Sequence, residues 1–161
     1  MKRRIIYPII VFLLLALYVG QLISQYTQMK SQESEIYATA RSYVEGAHFE
    51  LLNTPGEPLV DTYGLIREGS GMFVGFNIAH NSARLNEVVR LNREIESEFF
   101  TLMLQNKFNE DRAFFISQLA GALNVLPEKS SLIDTAAINK QLKQLHTNFM
   151  KYMSKKYDYY K

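Results

Sequence analysis

Lys2, Arg3 and Arg4 precede an apolar run from Ile5 to Ile23 in which Gln21 is the only strongly polar side chain. No other stretch constrains the fold as much, because so continuous an apolar surface must be covered by protein or by lipid. At the helical rise the run spans about 28 Å, close to the roughly 30 Å hydrocarbon thickness of a bilayer. It predicts a transmembrane anchor at 5–23 with a cytoplasmic tip at 1–4. Three cations before the run, against Lys30 with Glu33 and Glu35 after it, place the amino terminus in the cytoplasm. The remainder is then expected on the outer side, as for a bacterial inner-membrane protein facing the periplasm. The run exceeds a signal-peptide core, and Leu22-Ile23-Ser24 is a poor cleavage site, so the anchor is expected to stay uncleaved.

Residues 24–161 are enough for one modest domain with its own core. Cysteine is absent, which excludes disulfides, thiol nucleophiles and thiolate metal sites. The net charge of +2 conceals a division: Ser24–His80 carries three cations and seven acids, whereas Asn81–Lys161 carries twelve and nine.

Leu22, Tyr26, Met29, Ile36, Ala40, Tyr43, Ala47 and Leu51 recur at helical spacing, interrupted where Glu33 takes an inner position. The spacing predicts a stalk helix over 24–54, ended by Thr54-Pro55-Gly56-Glu57-Pro58. The segment 55–80 has another texture. Gly64, Gly69, Gly71 and Gly75 punctuate it, and Met72, Val74, Phe76 and Ile78 alternate with other residues, which admits a short β-hairpin. Arg67, Ser70, Met72 and Phe73 would then form a partner-docking loop at its tip.

Helical periodicity returns with Leu85, Val88, Asn92, Ile95, Phe99 and Leu102, predicting a helix within 81–108. Asn109 is positioned to cap a helix over 109–126 whose stripe is Phe115, Ile116, Leu119, Leu123 and Leu126. Ser131 and Asp134 approximate a capping box for a last helix over 131–157, with Ile138, Leu142, Leu145, Phe149 and Tyr152 on its seam. The fold class is therefore all-α: a transmembrane helix continuing into an antiparallel helical bundle, with the hairpin as an insertion.

Four soluble helices alternating in direction would return the carboxyl end to the bilayer. That end carries Lys151, Tyr152, Lys155, Lys156, Tyr157, Tyr159 and Tyr160, residue types suited to headgroups, so membrane-surface contact is expected there.

Chemical motifs are sparse. Glu45-Gly46-Ala47-His48 sets a carboxylate and an imidazole on one helix face, but a di-iron bundle needs two such motifs, and His80 and His146 lack the preceding glutamate. Gly69-Ser70-Gly71 lacks the context of a dinucleotide loop, and Ser70 has no neighbouring acid–base pair. No catalytic residue, metal ligand or cofactor is assigned. The expectation is a non-enzymatic envelope protein whose bundle binds membrane lipid and an envelope protein partner or a second copy, with nucleic acid excluded by the outer compartment. The alternative is a sensory or ligand-binding module acting through a separate signalling partner. Its architecture broadly resembles the helical input domains of bacterial chemoreceptors, although those return through a second span and this chain has no second apolar run of that length.

Overall fold

The computed structural model describes residues 2–54, 59–79, 85–105, 107–133 and 135–157, with the backbone alone for 2–11, 79 and 132. Among these residues five α-helices follow one another: α1 (Lys2–Asn53), α2 (Val60–Ala79), α3 (Asn86–Leu104), α4 (Arg112–Val125) and α5 (Thr135–Lys156). Short 3-10 turns at Phe108–Glu110 and Ser130–Leu132 precede α4 and α5. There is no strand among the described residues, so the all-α class holds and the β-hairpin does not.

The chain divides into two units, the first up to Glu33 and the second Ser34–Lys161. In the first, α1 exposes its apolar side chains from Phe12 to Met29, while Glu33 is buried and accepts a 2.9 Å bond from Lys30. Among the described residues no helix is long and apolar enough to cross a membrane. This corrects the single-pass anchor and the periplasmic placement derived from it. Ser24, Gln25, Thr27 and Gln28 turn the stretch after Ile23 polar. The side chains of Ile5 to Val11 lie outside the described residues.

Within the second unit, α2 occupies the segment read as a hairpin. Thr62, Ile66, Gly69, Ser70, Phe73 and Phe76 are its buried stripe, and Gly64, Gly71 and Gly75 face open space. Glycine costs a helix interior about 1 kcal/mol relative to alanine, yet packing repays it here. A Cβ at Gly69 would stand 3.2 Å from Tyr43 Cβ and 3.4 Å from both the Ala40 carbonyl oxygen and Val44 Cγ2. Gly46 of α1 meets Leu65 of α2 in the same crossing.

Side-chain contacts fix the directions. Gly46 opposite Leu65 and Tyr43 opposite Gly69 make α1 and α2 antiparallel. Tyr63 near the start of α2 packs on Phe99 and Phe100 near the end of α3, and the Leu85 amide donates to Asn77 Oδ1 at the other end, so α2 and α3 are antiparallel too. Arg112 at the start of α4 bonds the Leu51 and Thr54 carbonyls where α1 finishes, while the Tyr37 hydroxyl donates to the Pro127 carbonyl just after α4, at 2.7 Å. Finally α5 runs back along α4, with Phe149 and Tyr152 on Phe114. The helices close a ring in the order α1, α2, α3, α5, α4. A ring of five cannot alternate throughout, and the parallel neighbours are α3 and α5.

The axis of the ring is aromatic. Phe99, Phe108, Phe115 and Phe149 are fully or almost fully buried, with Phe99 and Phe108 centroids 4.3 Å apart and Phe115 edge-on to both Phe99 and Phe149. Tyr37, Phe73 and Phe76 form a second cluster at the opposite end, where burial pushes the Tyr37 phenol up to about 12. Removing the central ring by Phe99→Ala should cost about 3–5 kcal/mol, read as a lowered urea midpoint. Phe49→Ala, on an exposed side chain, should leave that midpoint unchanged. Gly69→Leu should be as damaging as the core truncation, because the added side chain would drive α1 and α2 apart.

Candidate functional site

The end of the bundle at which α1 finishes gathers most of the chain's distinctive chemistry. Asp111 is fully buried immediately before α4, where the sequence expected Asn109 to cap. Asn109 instead lies exposed in the 3-10 turn, and Asp111 occupies the cap position without bonding the helix backbone through its side chain. Its carboxylate faces α5. Oδ1 accepts from the Tyr152 hydroxyl at 2.5 Å and from Lys156 Nζ at 2.6 Å, and Oδ2 accepts from the Tyr157 hydroxyl. Glu110 adds a longer ion pair to Lys156 at 3.5 Å. The Tyr152 ring stacks on Phe114, with centroids 3.7 Å apart.

Burial pushes the Asp111 carboxyl up, but the bonds from Lys156, Tyr152 and Tyr157 outweigh it and hold the group below its ordinary value. Burial would lower the Lys156 ammonium, and the Asp111 carboxylate reverses this and raises it. Tyr157 is pushed up to about 12, first by burial and then by its bond to Asp111, and Tyr152 rises for the same reasons. Every group is thus held in its bonded form: one carboxylate, one ammonium and two neutral phenols. The cluster fastens α5 to α4.

Large apolar side chains lie at the same end with their surfaces open. Phe49 and Leu52 near the end of α1, Val60 at the start of α2, and Phe100 and Leu104 at the end of α3 are between 41% and 66% exposed. In the second unit only Ile78, at the other end of α2, shares this property among the described residues.

The expected site residues are distributed differently from the sequence reading. Arg67, Ser70, Met72 and Phe73 lie on the helix α2 rather than on a loop, with Ser70 and Phe73 buried, Met72 half-buried and Arg67 exposed. The docking-loop assignment is corrected accordingly. Tyr152, Lys156 and Tyr157 converge on Asp111, whereas Lys151 and Lys155 point to solvent. Tyr159 and Tyr160 lie outside the described residues. The helix α2 also reverses the direction expected for the last helix, so the carboxyl-terminal turn of α5 lies at the Asn53 end instead of the Tyr37 end. Membrane-surface contact by this tail had assumed the latter.

Glu45 forms an ion pair with Arg41, and His48 on the next turn is half-buried. His80 and Asp134 are outside the described residues. No group of three or more histidine, aspartate or glutamate side chains able to hold a metal occurs among the described residues. His146 and Gln118 are buried, each with one polar atom lacking a hydrogen-bond partner, Nε2 and Oε1 respectively.

The spacing of apolar residues did not single out Asp111. Tyr152, Lys156 and Tyr157 at i, i+4 and i+5 were the available signal, since they put three donors on one side of α5. No family model, curated protein or solved structure matches the chain.

The cluster predicts a pH dependence of stability. The contribution of Asp111 is complete above the unfolded carboxylate value, about 3.9, and is lost as pH falls through its lower folded value. Asp111→Asn should therefore flatten the acid limb of a stability profile. The contributions of Lys156, Tyr152 and Tyr157 have the opposite sign: complete below about pH 10, they are lost as the pH climbs through the raised folded values. Asp111→Ala at neutral pH should cost about 3 kcal/mol, near the low end for a broken buried pair because Lys156 is partly solvated. Urea titrations across pH measure both effects.

Proposed function

We propose that this chain is a non-enzymatic, protein-binding helical bundle that docks on its partner through the Asn53 end. The observation carrying this reading is the concentration of Phe49, Leu52, Val60, Phe100 and Leu104 at one end of the second unit. Isolated exposed apolar residues are ordinary on any protein, but five at one end, against Ile78 alone elsewhere in the second unit among the described residues, are the composition of an interaction surface. Aromatic side chains supply much of the energy in protein interfaces, and Phe49 and Phe100 are available for that role.

The same end is also fastened by polar ties between helices. Arg112 ties the end of α1 to the start of α4, and Asp111 ties the start of α4 to the end of α5. A surface held in this way loses little conformational freedom on binding, which favours affinity. The non-enzymatic part of the reading is supported by the interior, where aromatic rings occupy the axis and the buried carboxylate of Asp111 is engaged by three donors from α5.

The test is site-specific photocrosslinking in cells. A benzophenone side chain at position 49 or 100 should give the same adduct of defined mass, and one at position 78 should give none. Replacing Leu52 and Leu104 by serine should abolish the adduct from position 100 without lowering the thermal midpoint. Adducts identical from all three positions, or none from positions 49 and 100, would overturn the reading.

A further inference from the structure

Charge is distributed unevenly over the second unit, and α5 is the extreme. It carries Lys140, Lys143, Lys151, Lys155 and Lys156 and no acidic residue from Thr135 to Lys156. By contrast α1, α2 and α3 each mix both signs, and ion pairs form along the surface, as between Arg90 and Glu87 or Arg41 and Glu45. Lys156 is turned onto Asp111. The other four lysines are exposed on the outward side of the helix, spread over about 22 Å of its length.

The spacing is unfavourable for the isolated protein. Lys140 and Lys143 stand three residues apart and Lys151 and Lys155 four apart, the separations at which like charges on a helix destabilise it. Lysine near a helix carboxyl end has a structural use, since it can bond the terminal carbonyls. Lys140 and Lys143 lie in the first half of α5 and gain nothing from them. The side chains between the lysines are uncharged: Gln144 bonds Asn148, and Thr147 bonds the Lys143 carbonyl. The face is therefore a row of cations with no internal counter-charge.

We propose that the outward face of α5 is a docking face for an acidic protein segment, with Lys140, Lys143, Lys151 and Lys155 as its cationic contacts. Charge complementarity selects the sign of the occupant. The rest of the face selects its class. α5 exposes no aromatic side chain on which bases could stack, and it has no arginine to fork onto phosphates. It likewise exposes no large apolar side chain that could enter a lipid surface. Separated point charges on flexible stems suit carboxylates spaced along a peptide. This inference rests on different residues from the apolar end and stands or falls separately.

The experiment uses the full chain and a fluorescein-labelled oligoglutamate peptide, followed by anisotropy. Replacing Lys140, Lys143, Lys151 and Lys155 by glutamine should weaken binding about tenfold, and added salt should weaken the wild-type complex likewise. A matched variant removing four exposed cations elsewhere, Arg67→Gln with Arg93→Gln, Lys107→Gln and Lys129→Gln, should bind as the wild type does. Because all eight residues are solvent-exposed, both variants should keep the wild-type circular dichroism, and the α5 variant should melt no lower. Equal losses in the two variants would reduce the effect to net charge and overturn the proposal. So would tighter binding of a thymidine oligonucleotide or of phosphatidylserine vesicles than of the peptide, or no binding of the peptide at low salt.

Discussion

The close approach of α1 and α2 at Gly69 is the contact from which the arrangement of the second unit follows. Without a side chain at that position, the α1 backbone at Ala40 and the side chains of Tyr43 and Val44 come into van der Waals range of α2. This lets a glycine-rich segment persist as a helix despite its poor intrinsic propensity. Once α2 is a helix, the number of helices in the ring is odd. The carboxyl end of α5 then arrives at the Asn53 end, beside the exposed apolar side chains.

Two polar devices complete what the apolar core begins. The core is non-directional, and its rings could be satisfied by neighbouring registers. Arg112 reaches two carbonyls at the end of α1, groups that the helix itself cannot satisfy, and so fixes where α4 begins. Asp111, one residue earlier, fixes where α5 ends. Adjacent residues of opposite charge thereby join three helices, and the charge of each is used by a different neighbour.

Much of this was legible in the sequence where one period dominated. The six residues expected on the α3 stripe, from Leu85 to Leu102, are all buried, Asn92 among them. Phe115 and Leu119 of α4, Leu126 just after it, and Ile138, Leu142 and Phe149 of α5 are buried as their spacing required. The reading failed at α2, where Phe73 and Phe76 satisfy a helical period while Met72, Val74, Phe76 and Ile78 satisfy a period of two. Four glycines tipped the balance toward a turn, and only the tertiary contact with α1 decides otherwise. It failed also at Asp111, because a buried carboxylate is defined by partners more than forty positions away. The membrane assignment followed from the apolar run Ile5 to Ile23, whereas among the described residues no helix is long and apolar enough to cross a membrane.

An odd number of helices has an electrostatic remainder. At the Asn53 end α1, α3 and α5 present carboxyl termini and α2 and α4 present amino termini, so the peptide macrodipoles do not cancel, and about half an elementary negative charge is left over. Lys107, Arg112, Lys155 and Lys156 lie around the negative pole, where their charges are favoured whether or not anything is bound. A helix added to or lost from the ring would change the size of that pole, and with it the favour those cations enjoy.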